Sequence, residues 1–331
     1  MLRATARQFV ADVCPAERAK EWDEESAVPP ELFKGMADLG WFSLPFAEED
    51  GGDGGGPVEL ILIAEELGRA SFDVAMCYIG VLIPGLTVFD WGSDAQRAFI
   101  REQVMTGRQR LAVAVSEPDS GSDAAALRTL AQDRGDHFLV NGQKMWCTGA
   151  GLPDTTIATY VRTGPREPKH EGISLLLIDP LADGVEVRRT ATLARHILGT
   201  NEVYLSDVVV PRENLVGPQD QGWSVLLSTI ELGKVIITGG YLGAAQATLD
   251  EMLAFAKTRH AFGRHQPDPA QRHRPQHGPA NLLRGPRSAG CPPASPGCLE
   301  RRGDVPQRQV RLHVAAGPLS PGQRAACTGP G

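Results

Sequence analysis

The hydrophobic spacing of this chain changes period twice, and those changes restrict its possible folds more than any other feature. From Thr5 to about Gly107 apolar residues recur three and four apart, as in Leu60, Ile61, Ala64, Leu67 and again Val74, Tyr78, Val81, Leu82, the repeat of amphipathic helices. From Leu111 to Val216 the pattern breaks into short runs, LAVAV, HFLV, TTIATYV, ISLLLI, GVEVRR and EVYLSDVVV, separated by Gly, Pro and Asp; such runs predict strands. Between Gly222 and Thr258 helical spacing returns, with Leu226, Ile230, Ile237, Tyr241, Ala245, Leu249 and Met252 on one face. The order helix, strand, helix, with no internal repeat, predicts an α+β fold. Its parts are an N-terminal α-helical domain (residues 1–110), a central antiparallel β domain (111–218) and the truncated start of a C-terminal helical bundle (219–263).

Composition turns abruptly near Arg264. Of 33 basic side chains ten, all Arg, fall in 264–331, leaving 23 before them; of 40 acidic residues three do, leaving 37. Twelve of the 25 prolines also lie there, whereas Phe, Tyr, Trp, Met, Ile and Lys are absent. Such a set has no material for a packed core, so the tail is expected to be disordered. The types lost have mostly AT-rich codons and the types enriched have GC-rich ones, the bias produced when GC-rich DNA is read out of frame. The tail therefore reads as a frameshift product, with a native disordered tail as the alternative.

The net charge of -7, without a basic stripe before residue 264, argues against nucleic acid as a partner. The first thirty residues carry no apolar run of signal-peptide length, and no window approaches the roughly 20 apolar residues of a bilayer crossing. A cytoplasmic protein without a membrane span is expected. The six cysteines show no metal-type spacing and read as reduced thiols, with no metal site.

The GGDGGG run at Gly51 to Gly56 has no strand before it and no Lys-Ser or Lys-Thr after it, so it reads as an inter-helix loop rather than a phosphate cradle. Two other segments carry chemistry. In SEPDSGSD, Pro118 ends a strand and Gly121 permits a tight turn, presenting Ser116 and Ser122 at the rim of the β domain. In NGQKMWCTG, which follows a strand and turn, Trp146 and Thr148 fall on one side of an extended segment, an aromatic beside small polar groups that suits stacking on a planar ring. Taken singly, the first could be a decorated loop and Trp146 a core aromatic.

Together with PPELF and LGW between Pro29 and Trp41, LSDVVVPRENLVG at Leu205 to Gly217 and RHAFGR at Arg259, these two motifs resemble the acyl-CoA dehydrogenases over about 260 residues. The resemblance implies FAD as cofactor and an acyl-CoA as substrate. Proton abstraction from Cα by a carboxylate and hydride transfer from Cβ to the flavin would give the 2-enoyl-CoA. It further implies an electron-transfer flavoprotein as reoxidant and a homo- or hetero-oligomer. Val115 and Ser116 would contact the flavin pyrimidine side, Trp146 would pack on the isoalloxazine and Thr148 would bond near N5. Ser122 and Lys234 would lie by the substrate, and Arg259 with Phe262 would reach the FAD of a neighbouring subunit, where an Arg fork suits a diphosphate.

The chain departs from this pattern at the base. The family carries its catalytic Glu either late in the C-terminal domain or immediately before the position of Lys234, and here that position is Gly233. Glu231, two residues away, lies about 200° around the helix and faces elsewhere. No catalytic residue is assigned, and a non-catalytic flavin-binding subunit of a hetero-oligomer, or an inactive truncated product, is the alternative to an active dehydrogenase.

Overall fold

Helix starts in the first third are written by local chemistry. In the computed structural model, which describes residues 1–259, the chain opens with α1 (Leu2–Val13), α2 (Ala16–Glu25) and α3 (Pro30–Asp38). The last begins on a proline, whose missing N–H is no loss at a first helical position. α4 (Pro57–Ala70) does the same, and the Glu59 carboxylate accepts the Gly56 N–H at 3.0 Å. Ser71 caps α5 (Phe72–Trp91) by accepting the Asp73 N–H, and Ser93 with Gln96 forms a reciprocal box at α6 (Asp94–Phe99). The glycine run before Pro57 is a loop between helical segments.

Eight strands follow: β1 (Arg110–Ala114), β2 (Leu130–Asp133), β3 (His137–Thr148), β4 (Thr155–Arg162), β5 (Ile173–Ile178), β6 (Val185–Thr190), β7 (Thr200–Pro211) and β8 (Leu215–Val216). They form one sheet in the order β6-β7-β3-β2-β4-β5-β8, with β1 joined to β4. Most pairs are antiparallel, but β1 runs parallel to β4, and β2 meets β4 in parallel at Leu130. The central antiparallel β domain expected from the sequence is present as a mostly antiparallel sheet, with β1 and one residue pair of β2 running parallel to β4. The chain travels through β2 and β3 between β1 and β4, and only a short hairpin obliges neighbours to be antiparallel. HFLV and NGQKMWCT, expected as a strand and a separate motif, are one strand, β3, irregular between Val140 and Gly142 and between Lys144 and Cys147.

The sheet is buried on both faces at β5, which explains the unbroken ISLLLI run. One core joins the helices to the sheet through residues such as Trp41, Tyr78, Leu111, Tyr160 and Leu175; a second, around Phe138, Val140, Ile157, Leu176 and Val208, covers the other side. Cys14, Cys77 and Cys147 are buried free thiols.

α7 (Gly222–Thr258) docks by a different face from the one its spacing suggests. Its buried stripe is Val225, Thr229, Gly233, Ile236, Gly240 and Gly243, whereas Tyr241, Leu249 and Met252 are 55%, 48% and 63% exposed. Close backbone approach decides this. A Cβ on Gly243 would stand 1.9 Å from the Glu65 carbonyl oxygen, and one on Gly68 2.2 Å from that of Gly240, so glycines let the backbones of α4 and α7 come into direct contact. Leu226, Ile230 and Ile237 are half-buried on the α5 side.

Among the described residues two helices, α5 and α7, are long and apolar enough to cross a membrane, which corrects the expectation that no segment approaches that length. The apolar window of α5 is 78% buried in the fold, the property of a core helix; that of α7 is 33% buried. Phe262, the tail from Arg264 and the disorder expected of it lie outside the described residues.

Candidate functional site

A charged residue from each motif, neither singled out by the sequence reading, holds the two motifs together. Lys144 on β3 is fully buried, and its ammonium donates to the Glu117 carboxylate at 2.8 Å and to the Val115 carbonyl at 3.1 Å. The same carboxylate accepts the backbone N–H groups of Arg128 and Thr129 at 2.6 and 2.9 Å. Burial alone would push the Glu117 carboxyl up, but the Lys144 charge and these bonds outweigh it and hold the carboxyl below its ordinary value. The Met145 N–H donates to the Ser116 carbonyl at 2.8 Å, closing the junction. Strand alternation carried the signal for Lys144: it shares the inward phase of Phe138 and Val140.

Past Lys144 the strand turns. Trp146 takes a left-handed φ of 60° and is 55% exposed, and Thr148 ends β3 opposite Thr200. Both line a cavity of about 330 Å³ between the sheet and helices α5 and α7. Met76, Gly80 and Ile83 come to it from α5; Ile230, Gly233 and Lys234 come from α7. The Thr87 and Thr229 hydroxyls, also on its wall, are hydrogen-bonded at 2.8 Å.

The fold therefore brings Trp146, Thr148 and Lys234 together and leaves the other candidates outside this cavity. Val115 and Ser116 are half-buried, each with its carbonyl engaged as described. Ser122 is exposed on the turn that follows. Arg259 caps α7, its N–H bonded to the Phe255 carbonyl at 2.9 Å. That position is 22 residues past Ile237, about 33 Å of helix, so it serves no part of this cavity. Among the described residues no Asp or Glu lines it, and Glu231 is exposed elsewhere on α7.

A planar cofactor with polar edges needs an exposed apolar face and unengaged hydrogen-bonding groups beside it. The half-exposed Trp146 indole, and a Thr148 hydroxyl with no side-chain partner among the described residues, fit an isoalloxazine ring. A larger cleft of about 610 Å³, lined by Ser93, Thr155, Asp179 and Glu213 among others, contains none of the candidates.

Three family models match in succession: "Acyl-CoA dehydrogenase, N-terminal domain" over residues 1–108, "middle domain" over 112–208 and "C-terminal domain" over 220–276. The chain is 31% identical over 271 residues to the caffeyl-CoA reductase-Etf complex subunit CarC of Acetobacterium woodii, covering 80% of this chain and 70% of that protein. It is 30% identical to the glutaryl-CoA dehydrogenase of Desulfococcus multivorans, covering 80% of this chain and 68% of that protein. Among solved structures it resembles a glutaryl-coenzyme A dehydrogenase glutaryl-CoA complex, with TM-score 0.74, 28% identity, and coverage of 80% of this chain and 68% of that one. A glutaryl-CoA dehydrogenase from Mycobacterium smegmatis in complex with FADH2 superposes with TM-score 0.72 at 25% identity, covering 80% of this chain and 66% of that one. The chain belongs to the acyl-CoA dehydrogenase family of FAD-dependent oxidoreductases.

Proposed function

We propose that this chain binds FAD against Trp146 and Thr148 and receives the acyl end of a coenzyme A thioester in the cavity between α5 and α7, a site built for α,β-dehydrogenation. One observation carries the reading: a strand-borne aromatic, a free hydroxyl and an ammonium converge on one apolar cavity. Bound FAD supplies the hydride acceptor. Trp146 gives the ring an apolar surface, Thr148 a hydrogen bond, and the buried Lys144–Glu117 pair fixes the strand that carries both. Apolar walls from α5 and α7 exclude water from the acyl carbons. Ser122 and Lys234 lie nearer solvent, suited to the polar part of the thioester.

Reoxidation by an electron-transfer flavoprotein, assembly as a homo- or hetero-oligomer and residence in the cytoplasm belong to the same reading. The name of the CarC relative, a subunit of an Etf complex, supports the first of these.

A second reading has its own support: no carboxylate lines the cavity among the described residues, and Gly233 occupies the position where the resemblance implies a base. Loss of a positioned general base costs roughly 10²- to 10⁴-fold in rate, which would leave a flavin-binding subunit that holds a thioester without oxidising it. Anaerobic addition of acyl-CoA to the FAD-loaded protein separates the two. Bleaching of the flavin band with repeated turnover supports the dehydrogenase; a spectral shift without bleaching supports the non-catalytic subunit. A chain that retains no FAD, or whose Trp146→Ala variant retains it equally well, overturns the placement of the flavin.

A further inference from the structure

Two glycines face this cavity without any packing reason to be glycine. A mid-helix glycine destabilises a helix by about 0.5–1 kcal/mol relative to alanine, so its presence calls for a physical reason. On the α4–α7 seam the reason is contact: a Cβ on Gly68, Gly239 or Gly243 would lie 2.2, 2.9 or 1.9 Å from a backbone oxygen of the facing helix. Gly80 on α5 is different. A Cβ there would meet nothing within 4 Å, and its φ is not in the left-handed region. Gly233 on α7 is similar, with only the Ile83 side chain near, at 3.7 Å. Both line the 330 Å³ cavity, whose other helical walls include Met76, Ile79, Ile83 and Ile237.

The shared effect of Gly80 and Gly233 is width. A linear acyl chain needs a narrow apolar channel, and side chains at these two positions would make one. Without them the cavity beside Trp146 and Thr148 keeps open the space that side chains at these two positions would fill. We propose that Gly80 is a specificity-determining residue, and that together with Gly233 it fits the cavity to a branched or ring-bearing acyl group in preference to a linear chain. This rests on the thioester reading above.

The test compares cyclohexanecarbonyl-CoA with heptanoyl-CoA, which have equal carbon number, by titrating each into the full-length FAD-loaded protein and its Gly80→Leu and Gly80→Ala variants. The parent binds the ring thioester at least as tightly as the linear one. Gly80→Leu weakens the ring thioester by about tenfold or more, the scale of overpacking a filled site, and changes heptanoyl-CoA affinity by less than about threefold. Gly80→Ala weakens ring binding in the same direction while raising the thermal midpoint by about 1–4 °C, because alanine is the better helix former. A merely structural glycine would show no such division between ligand binding and stability. Tighter binding of heptanoyl-CoA by the parent, or unchanged ring affinity in Gly80→Leu, overturns the assignment and leaves the thioester reading intact. Failure of both thioesters to bind overturns that reading and this one with it.

Discussion

The Lys144 ammonium and the Glu117 carboxylate lie 2.8 Å apart in the interior, joining two motifs that are 27 residues apart in sequence. Each member also holds backbone: Lys144 through the Val115 carbonyl, Glu117 through the N–H groups of Arg128 and Thr129. Lys144→Met leaves that carboxylate buried without its countercharge and is expected to cost about 3–5 kcal/mol, measured by urea denaturation at neutral pH. A loss below about 1 kcal/mol would show that the pair is not what secures the junction.

The same carboxyl sets an acid limit. Its folded pKa is depressed, so its contribution is fully present above the ordinary carboxylate value of about 4.3 and is lost as pH falls through the lower folded value. The denaturation midpoint of the parent should therefore fall on acidification below about pH 4 more steeply than that of Glu117→Gln. Parallel curves for the two proteins would contradict this.

His196 gives a dependence of opposite sign. Its ring nitrogens stand 2.8 Å from the Thr192 carbonyl and 2.9 Å from the Asp23 carboxylate, two acceptors that only the doubly protonated ring satisfies at once. The Thr192 bond, then the Asp23 bond and charge, raise its pKa. The contribution is present below about pH 6.5 and is lost as pH rises through the raised value. His196→Gln should abolish that part of the stability change between about pH 6 and 8, and the ring proton shifts in NMR should titrate above the free-histidine value.

Gly243 tests the α4–α7 seam. Its Cβ would lie 1.9 Å from the Glu65 carbonyl oxygen, and backbone on both helices leaves no flexible atom to yield. Gly243→Ala should destabilise by about 1–3 kcal/mol or more and speed amide exchange along α7. A neutral substitution would mean that the helices are not in backbone contact.

Gly233 tests what the site lacks. Since only the Ile83 side chain approaches its Cβ position, at 3.7 Å, Gly233→Glu places a carboxylate at the cavity wall without backbone conflict. If the missing element is a base, acyl-CoA oxidation should rise by about 10²-fold or more over the parent. Unchanged turnover in a folded, flavin-loaded variant would mean that the deficit lies elsewhere.

The strands and helices were legible because period, caps and breakers are local: Pro30, Pro57, Ser71 and Ser93 start helices with groups within a few residues. The fully buried β5 was legible as a continuous apolar run. Pairing partners were not, because β1 pairs in parallel with β4 although β2 and β3 lie between them in the chain. Lys144 was not legible as a site residue although its strand phase points inward, since a lysine on a buried face makes sense only with Glu117, distant along the chain, as its partner. On α7, spacing picked out the large apolar residues, whereas packing chose the glycines.

By itself the sequence determined the helix–strand–helix order, the two motifs and the absence of a carboxylate at position 233, since each follows from residue types read in order. Only the tertiary structure decided which of those residues meet. It brought Trp146, Thr148 and Lys234 to one cavity, left Ser122 and Arg259 outside it, and placed Gly80 on its wall with nothing within 4 Å of where a Cβ would stand. Local preferences are set within a few residues, whereas a cavity depends on how closely two helix backbones and a sheet edge approach, a distance fixed by contacts far apart in the chain.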